Sequence, residues 1–341
     1  MTNIPQSGTS NSTYPSNEPD NDYHETLTGL QRSPPRVSPK WFYDTLGSTL
    51  FESITRTPEY YGTRCEVEIL QTQGEAIGKH LPVNLAVVEF GSGSAEKIGK
   101  LLPHLASPRV YHPIDISETA LHATAAEIGS RFPDLSVDPH LGDFTNPAMT
   151  RRSLATVTAS GPTLLFFPGS TLGNFEPEQA AELLTHTGAS VPPGTPFLLG
   201  VDLIKDTAQL KAAYDDDAGV TAAFNRNMLV HLNRRFGADF DARRWRHEVK
   251  WNPAHRRIEM WLRSSGEQRV NFGGTHLEFA DGDGIHTENS HKWDRASIEK
   301  LAASTGWRIG EWWTDERGWF AEILLTRCSH LRPVSHSSCR S

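Results

Sequence analysis

The stretch LAVVEFGSG, residues 85–93, decides the fold: an apolar run leads into an acidic residue and a glycine-rich turn. An amphipathic helix is expected directly after it, over about residues 95–105. Glycines at such a turn let the backbone approach a ligand closely at the carboxyl end of a parallel sheet. The stretch therefore predicts the first strand of an α/β domain, with a ligand site where that strand ends.

Strands and helices alternate after this stretch. Further strands are expected at residues 110–115, 164–167 and 197–203, and helices at residues 118–132 and 176–187 between them. Such alternation is typical of a parallel sheet with helices on both faces. The predicted fold class is therefore α/β, with a Rossmann-like sheet.

The pattern changes after residue 204. One helix face is indicated by apolar residues that recur every four positions, and strand-like runs follow at residues 247–251 and 258–263. A helix at residues 297–304 and an antiparallel hairpin of residues 308–313 with 320–326 then restore the first pattern. This order predicts a second, α+β lobe inserted into the α/β domain. The residues of the helix face are Phe224, Met228, Leu232 and Phe236.

We therefore divide the chain into two lobes and two tails. The tails, which are rich in Ser, Thr, Asn and Pro and poor in large aliphatic residues, are predicted to be disordered because they cannot bury enough apolar surface. The assignments are residues 65–204 with 291–330 for the sheet domain, 37–64 with 205–290 for the inserted lobe, and 1–36 and 331–341 for the tails.

Composition and charge narrow the functional class. The 341 residues carry a formal charge of −8, so neither nucleic acid nor an anionic membrane surface is an expected partner. The sequence has no run of the about 18–20 apolar residues that a membrane span needs, and we find no secretory signal. We therefore expect a cytoplasmic protein. We also expect a monomer. The three cysteines are scattered and the 15 histidines contain no His-Glu-x-x-His motif, so we expect no metal.

The glycine-rich turn has three interpretations. A dinucleotide fingerprint requires a third glycine where Glu96 stands, and an acidic side chain there would repel a pyrophosphate, which disfavours NAD. S-adenosylmethionine has no phosphate, and an acidic residue such as Glu89 before the first glycine suits it. A tight turn without any ligand is the third interpretation.

Two further acidic residues strengthen the cofactor interpretation, one at the end of the second predicted strand and one before the third. Asp115 ends the second strand, where a carboxylate can accept hydrogen bonds from both ribose hydroxyls. Asp143 can accept from an adenine amino group while the ring of Phe144 packs on the base. Each aspartate alone is typical of a turn or a helix N-cap. Acids at three successive strand ends together favour S-adenosylmethionine as the cofactor.

Longer motifs resemble the histidine Nα-methyltransferases of ergothioneine biosynthesis. The resemblance covers residues 39–326 and implies S-adenosylmethionine as methyl donor, L-histidine as substrate, and trimethylation of its α-amino group to hercynine. It also implies a class I methyltransferase sheet with a substrate lobe that closes over the amino acid. The matching strings are KWFYD (40–44), PEYY (58–61), GSGS (91–94), GSTLGN (169–174), YDD (214–216), FNRN (224–227), RIEM (257–260), TENS (287–290) and WWTD (312–315).

The resemblance further implies which residues form the site. Those that would hold S-adenosylmethionine are Tyr60, Gly91, Lys97, Asp115, Asp143 and Phe144. Those that would surround histidine are Tyr43, Gly169, Asn174, Tyr214, Met260, Glu288 and Ser290, of which Tyr43, Asn174 and Tyr214 would be catalytic.

Glu288 and Ser290 carry the prediction of histidine as substrate. If residues 287–291 are extended, both side chains point to one face. A carboxylate and a hydroxyl side by side can bond the two ring nitrogens of an imidazole. The alternatives are an exposed strand edge with two polar residues, a tryptophan derivative as substrate, or a cofactor-binding protein without turnover.

Overall fold

The computed structural model describes residues 19–329, so the tail at residues 331–341 and the first half of the N-terminal arm lie outside the described residues. The helices of the described part are α1 Pro19–Leu30, α2 Thr45–Thr55, α3 Gly62–Thr72, α4 Gly74–Lys79, α5 Ile98–Leu101, α6 Glu118–Arg131, α7 Pro147–Thr158, α8 Pro177–Ala189, α9 Thr207–Ala212, α10 Val220–Phe236 and α11 Arg295–Ser304. Short 3-10 helices are Pro39–Phe42, Leu102–His104, Thr171–Asn174 and Ala242–Arg244. The strands are β1 Ala86–Phe90, β2 Val110–Asp115, β3 Ser136–Val137, β4 His140–Leu141, β5 Thr163–Phe167, β6 Pro196–Asp202, β7 Trp245–Asn252, β8 Arg257–Ser264, β9 Gln268–Phe272, β10 Thr275–Phe279, β11 Gly284–His291, β12 Trp307–Thr314 and β13 Phe320–Arg327.

The large sheet confirms the predicted α/β class. Its order is β12-β13-β6-β5-β1-β2-β3, with β4 also paired to β2. The strands from β3 to β6 are parallel, and β13 joins β6 and β12 in antiparallel fashion. Because β1 lies between β2 and β5, the strand order reverses beside it. A crevice for ligands opens at such a reversal, at the carboxyl ends of the strands.

Strand β1 is central because both of its faces are buried. Val87 packs into one hydrophobic core with Tyr111, whereas its neighbour Val88 packs into a second core with Phe167 on the other face. Alternate residues of a strand point to opposite faces, so an uninterrupted apolar run fits only a strand covered on both sides. Each such buried side chain contributes roughly 1.5–3 kcal/mol of burial free energy.

The inserted lobe has its own sheets and core. Strands β11, β8 and β7 form an antiparallel sheet, and β9 pairs with β10. The predicted helix face on α10 packs into this core, where the rings of Phe42 and Phe224 stack at 4.4 Å. Phe42 comes from the segment before α2, so the lobe is assembled from two distant parts of the chain.

The prediction of a disordered arm over residues 1–36 is wrong for residues 19–36. Helix α1 packs on the inserted lobe, where the ring of Tyr23 stacks on Phe272 at 5.4 Å and its hydroxyl donates to the Phe272 carbonyl. Leu30 is buried in the core of the lobe. The composition of the arm is too polar to fold alone, but a few apolar residues suffice when a partner surface is already present.

The helix expected at residues 95–105 is also shorter than predicted. Only Ile98–Leu101 is α-helical, and a 3-10 turn, Leu102–His104, follows. Pro103 lies in that turn, and proline cannot donate the backbone hydrogen bond that would continue the α-helix. Within residues 19–329, no helix combines the length and the apolar character needed to cross a bilayer.

Candidate active site

A cavity of about 1680 Å³ opens where the two lobes meet. Pockets for one drug-sized molecule measure about 300–1,000 Å³, so this cavity has room for two small molecules side by side. Most of the residues expected at the site line it: Tyr43, Gly91, Lys97, Asp115, Asp143, Phe144, Gly169, Asn174 and Glu288. Four others are not among the lining residues: Tyr60, Tyr214, Met260 and Ser290.

The carboxylate of Asp115 is held at the end of β2 by backbone amides. Gly93 N donates to one oxygen at 3.0 Å, and Ser117 N donates to the other at 2.8 Å. Burial raises the pKa of Asp115, and these backbone hydrogen bonds oppose the rise. A carboxylate has about four acceptor positions, so two remain for a ligand in the cavity.

Gly91 and Phe144 form the wall beside this carboxylate. Gly91 has φ +71°, a conformation that favours glycine, and a Cβ there would lie 3.6 Å from the Phe144 ring. Phe144 is half-buried and packs edge-on against Phe167. Asp143 is fixed by Thr145, whose backbone N and hydroxyl both donate to the same carboxylate oxygen. This leaves a flat aromatic surface and a free carboxylate oxygen next to each other.

Lys97 and Gly169 are joined through a buried acid that sequence reasoning missed. Glu66 accepts from Gly169 N at 2.8 Å and forms an ion pair of 2.6 Å with Lys97 Nζ. Burial and the neighbouring Glu66 raise the pKa of Glu322, which lies on β13, well above its ordinary value. The buried acids Glu66 and Glu322 thus lie together behind Lys97, and Glu66 is the one that contacts its ammonium group. In the sequence, Glu66 looks like any charged residue on a helix.

Tyr43 is fixed between two helices of the inserted lobe. The following residue, Asp44, caps α2 by accepting from Gly47 N at 2.7 Å. The Tyr43 ring packs edge-on against Phe224 at 5.9 Å. Burial, with the nearby Glu288 carboxylate, raises the pKa of Tyr43 far above that of free tyrosine. Its hydroxyl is therefore a neutral donor and acceptor, not a base.

Glu288 lies on β11, opposite Tyr43. This strand confirms the extended conformation predicted for residues 287–291. Asn174 Nδ2 donates to its Oε1 at 3.1 Å. Burial raises the pKa of Glu288 to about 8, and Lys292 opposes that rise. Met260 is its cross-strand partner on β8, so the two side chains share a face.

Ser290 and Tyr214 lie behind Glu288, held by a lysine that the sequence analysis did not single out. Lys292 Nζ lies 2.6 Å from Ser290 Oγ and 3.0 Å from the Tyr214 hydroxyl oxygen. The Tyr214 hydroxyl in turn donates to Ser290 Oγ at 2.6 Å. Because an ammonium group only donates, Ser290 Oγ accepts twice, and its own hydrogen is free for another acceptor.

A buried aspartate balances the charge of this lysine. Asp202, the last residue of β6, lies 2.8 Å from Lys292 Nζ, contacts Lys205 Nζ, and accepts from the Tyr61 hydroxyl at 2.8 Å. Burial alone would raise the pKa of Asp202, but the two ammonium groups bring it below its ordinary value. The inserted lobe and the large sheet therefore meet on a charged cluster with Asp202 at its centre.

Tyr60 lies next to Tyr214, at a ring distance of 6.5 Å. Its pKa is raised well above the ordinary value by burial, and the nearby Tyr214, Asp202 and Tyr43 contribute. The tyrosines between the two halves of the cavity are thus neutral hydroxyls. The cavity combines a carboxylate at the strand ends with hydrogen-bonding groups of the inserted lobe, an arrangement that suits a cofactor and a polar substrate.

Comparison with known sequences decides the family. A family model described as histidine-specific methyltransferase, SAM-dependent, matches residues 22–327. The chain belongs to this family. It is 42% identical over 308 residues to a histidine N-alpha-methyltransferase of Mycobacterium tuberculosis, covering 89% of this chain and 94% of that one. The resemblance inferred from the motifs is therefore confirmed.

This chain is also similar to two further proteins that are named for different substrates. A histidine N-alpha-methyltransferase of Mycolicibacterium smegmatis is 41% identical over 89% of this chain and 94% of its own length. A 4-dimethylallyltryptophan N-methyltransferase of Claviceps purpurea is 26% identical over 86% of this chain and 91% of its own length. The scaffold is thus shared by proteins named for two different aromatic amino acids.

Proposed function

We propose that this protein transfers three methyl groups from S-adenosylmethionine to the α-amino nitrogen of L-histidine, giving hercynine, the first step of ergothioneine biosynthesis. The observation that carries the proposal is the pairing of Glu288 with Ser290 on β11. Glu288, in its ionised form, offers an acceptor to the cavity, and Lys292 makes Ser290 a donor. An imidazole has one ring nitrogen of each kind.

S-adenosylmethionine supplies a methyl group on a positively charged sulfur. In our proposal the Asp115 carboxylate accepts from its ribose hydroxyls, while Phe144 packs on the adenine and Asp143 accepts from its amino group. The fit rests on the free acceptor positions of Asp115 and on the aromatic wall beside Gly91. Lys97 and Tyr60 complete this half, with Lys97 fixed by the buried Glu66.

The substrate half has to orient the amine and exclude water. Most of the rate acceleration can come from such positioning, because methyl transfer needs a neutral amine in line with the methyl group. Tyr43 is the catalytic candidate that can hold the amine, and its raised pKa means that it does so as a neutral hydroxyl. The final product has no N–H, so the grip must come from the substrate carboxylate and imidazole.

Asn174 and Tyr214 provide part of that grip. Asn174 spends one N–H on Glu288 and has a second one for the substrate carboxylate. Tyr214 donates to Ser290, so we assign it to fixing the imidazole-binding hydroxyl. Gly169 lines the cavity, and Met260, the cross-strand neighbour of Glu288, has a polarizable thioether that suits the imidazole face.

The second candidate function is N-methylation of a tryptophan derivative. The Claviceps purpurea relative favours it, but an indole has one donor and no acceptor, so it would leave Ser290 without a partner. A protein that binds the cofactor without turnover is the third candidate, and the complete substrate half argues against it.

The test is incubation of the purified protein with S-adenosylmethionine and each amino acid separately, with products followed by mass spectrometry. We expect mass gains of one, two and three methyl groups on histidine alone. Methylation of tryptophan or its prenylated derivative at a higher kcat/KM would overturn the substrate assignment. Binding of S-adenosylmethionine without any methylated product would overturn the enzymatic one.

A further inference from the structure

Three side chains with metal-binding atoms meet at the β3–β4 edge of the large sheet, and none of them lines the cavity. Asp138 Oδ2 lies 3.1 Å from His112 Nδ1 and 3.2 Å from His140 Nε2. The two histidine nitrogens are 3.3 Å apart. The three atoms therefore form an almost equilateral triangle.

The backbone fixes this triangle. Asp138 N donates to the Tyr111 carbonyl at 2.9 Å, which places Asp138 beside His112 on β2. Strand β4, which begins at His140, pairs with the end of β2. Asp138 and His140 are two residues apart along an extended edge, so their side chains share a face. The imidazole of His112 is largely buried, whereas Asp138 and His140 reach solvent.

The three atoms can interact either through hydrogen bonds or through a shared cation. Each nitrogen presents either an N–H or a lone pair, and the carboxylate oxygen presents lone pairs only. When both nitrogens present N–H groups, both can donate to the Asp138 oxygen, so without a metal at most two of the three contacts are hydrogen bonds. A cation instead accepts a lone pair from all three atoms at once.

The size of the triangle matches one metal ion. Zinc lies about 2.0–2.1 Å from imidazole nitrogen and about 2.0–2.2 Å from carboxylate oxygen, so tetrahedral ligands are about 3.3 Å apart. We propose that His112, Asp138 and His140 bind one divalent transition metal ion, with Zn²⁺ the best match, and that water occupies the fourth position. Nitrogen and carboxylate ligands at this spacing suit zinc, cobalt or nickel better than calcium or magnesium.

The ion would hold in place the segment that carries part of the proposed cofactor site. The chain runs from His140 through β4 directly to Asp143 and Phe144, which line the cavity. β3 and β4 have only two residues each, so few backbone hydrogen bonds hold this edge. By joining His112 on β2 to Asp138 and His140, the ion would hold the following segment in place. It would do so without occupying the cavity.

The experiment uses the full chain without a histidine tag, stripped with a chelator and titrated with Zn²⁺ alone and then Co²⁺ alone. We expect one equivalent of Zn²⁺ bound at micromolar concentration or tighter, a visible absorption band with Co²⁺, and a higher Tm with the metal. His140→Ala and Asp138→Asn, both at solvent-reaching positions, should each weaken binding at least about tenfold. His122→Ala on α6, an exposed histidine outside the triangle, is the matched control and should not change it.

Two results would overturn the proposal. One is the absence of a stoichiometric site in the wild type, and the other is equal Zn²⁺ binding by wild type, His140→Ala and Asp138→Asn. The readout is metal content and affinity, so the outcome does not depend on which amino acid the protein methylates. Zn²⁺ should also tighten the binding of S-adenosylhomocysteine severalfold in the wild type and not in His140→Ala.

Discussion

The ammonium nitrogen of Lys292 lies 2.6 Å from the hydroxyl oxygen of Ser290, two residues before it, and both side chains are buried. Lysine has no acceptor, so this contact fixes the polarity of the serine. Burial lowers the pKa of Lys292, but Asp202 more than restores it, so the lysine stays charged. The direction in which Ser290 donates is thus set from outside the cavity, by a residue that does not line it.

Replacing Lys292 by Met should raise the KM for histidine about 10- to 100-fold while leaving the affinity for S-adenosylmethionine unchanged. The loss corresponds to one hydrogen bond to a charged group, about 1.5–3 kcal/mol. Lys205→Met is the matched control, because it removes the other ammonium partner of Asp202 without touching Ser290. Equal increases in KM for both variants would show that only the charge balance of Asp202 matters. Melting curves are needed for both variants, since breaking a buried pair costs about 3–5 kcal/mol.

Replacing Glu288 by Ala should change the choice of substrate. An unpaired buried polar group costs about 1–3 kcal/mol, so histidine should lose kcat/KM strongly, while a tryptophan-like substrate loses little or gains from the larger pocket. The quantity to measure is the ratio of kcat/KM for the two substrates, since a folding defect lowers both. An unchanged ratio would mean that Glu288 does not bind the imidazole.

The stability of the protein should respond to the titration of Glu288. Its pKa is about 8 in the folded chain and near 4.5 when unfolded, so between these values the folded state holds the extra proton. The free energy of unfolding therefore falls as pH rises through this window. Glu288→Gln lacks this contribution, so its Tm should overtake that of the wild type between pH 5 and pH 8.5. Parallel Tm curves over that range would refute the buried titration.

Removing the carboxylate of Asp115 should weaken the cofactor and spare the substrate. Loss of a charge-assisted hydrogen bond costs roughly 1.5–3 kcal/mol, so Asp115→Ala should bind S-adenosylmethionine about 10- to 100-fold more weakly by calorimetry. Glu96→Ala removes an exposed carboxylate from the turn after the neighbouring strand β1 and serves as the control. Unchanged cofactor affinity in Asp115→Ala would exclude Asp115 from the ribose site.

Removing α1 should destabilise the inserted lobe. A chain that begins at residue 31 loses the Tyr23–Phe272 stack and the buried Leu30, which together are worth about 2–4 kcal/mol. We expect the Tm to fall by at least about 4 °C relative to a chain that begins at residue 19. The KM for histidine should also rise, because α1 contributes residues to the cavity wall. Identical Tm values for the two truncations would show that the docking of α1 adds nothing.

Sequence reasoning found the parts of the site that topology fixes. Gly91 and Asp115 lie at the ends of the neighbouring parallel strands β1 and β2, which meet at one edge of the sheet, whereas Asp143 follows β4, a strand that the sequence did not predict. Helix α10 was predictable for a similar reason. Apolar residues that recur every four positions lie on one face of a helix. In both cases a local sequence pattern is enough for the prediction. A regular strand or helix then determines which residues lie next to each other in space.

The missed residues depend on partners that lie far away in the sequence. Asp202 and Lys292 are 90 positions apart by their numbers, and each alone resembles a charged residue facing solvent. Glu66 on α3 forms an ion pair with Lys97, which lies in the turn before α5, and His112 meets His140 only through strand pairing. Neither a periodic pattern nor a short motif in the sequence indicates such pairs. They can be identified only from the folded structure.

The position of α1 has a consequence for the synthesis of the protein. Tyr23 leaves the ribosome 249 residues before the strand on which it packs. At about 5–20 residues per second, the helix waits roughly 12–50 s for its partner. During that time the strands β1 to β6 have all been made, whereas α1 and α2 have no completed surface to cover. A nascent chain therefore completes most of its cofactor half first, and the half that selects the amino acid is the part most exposed to chaperones and proteases.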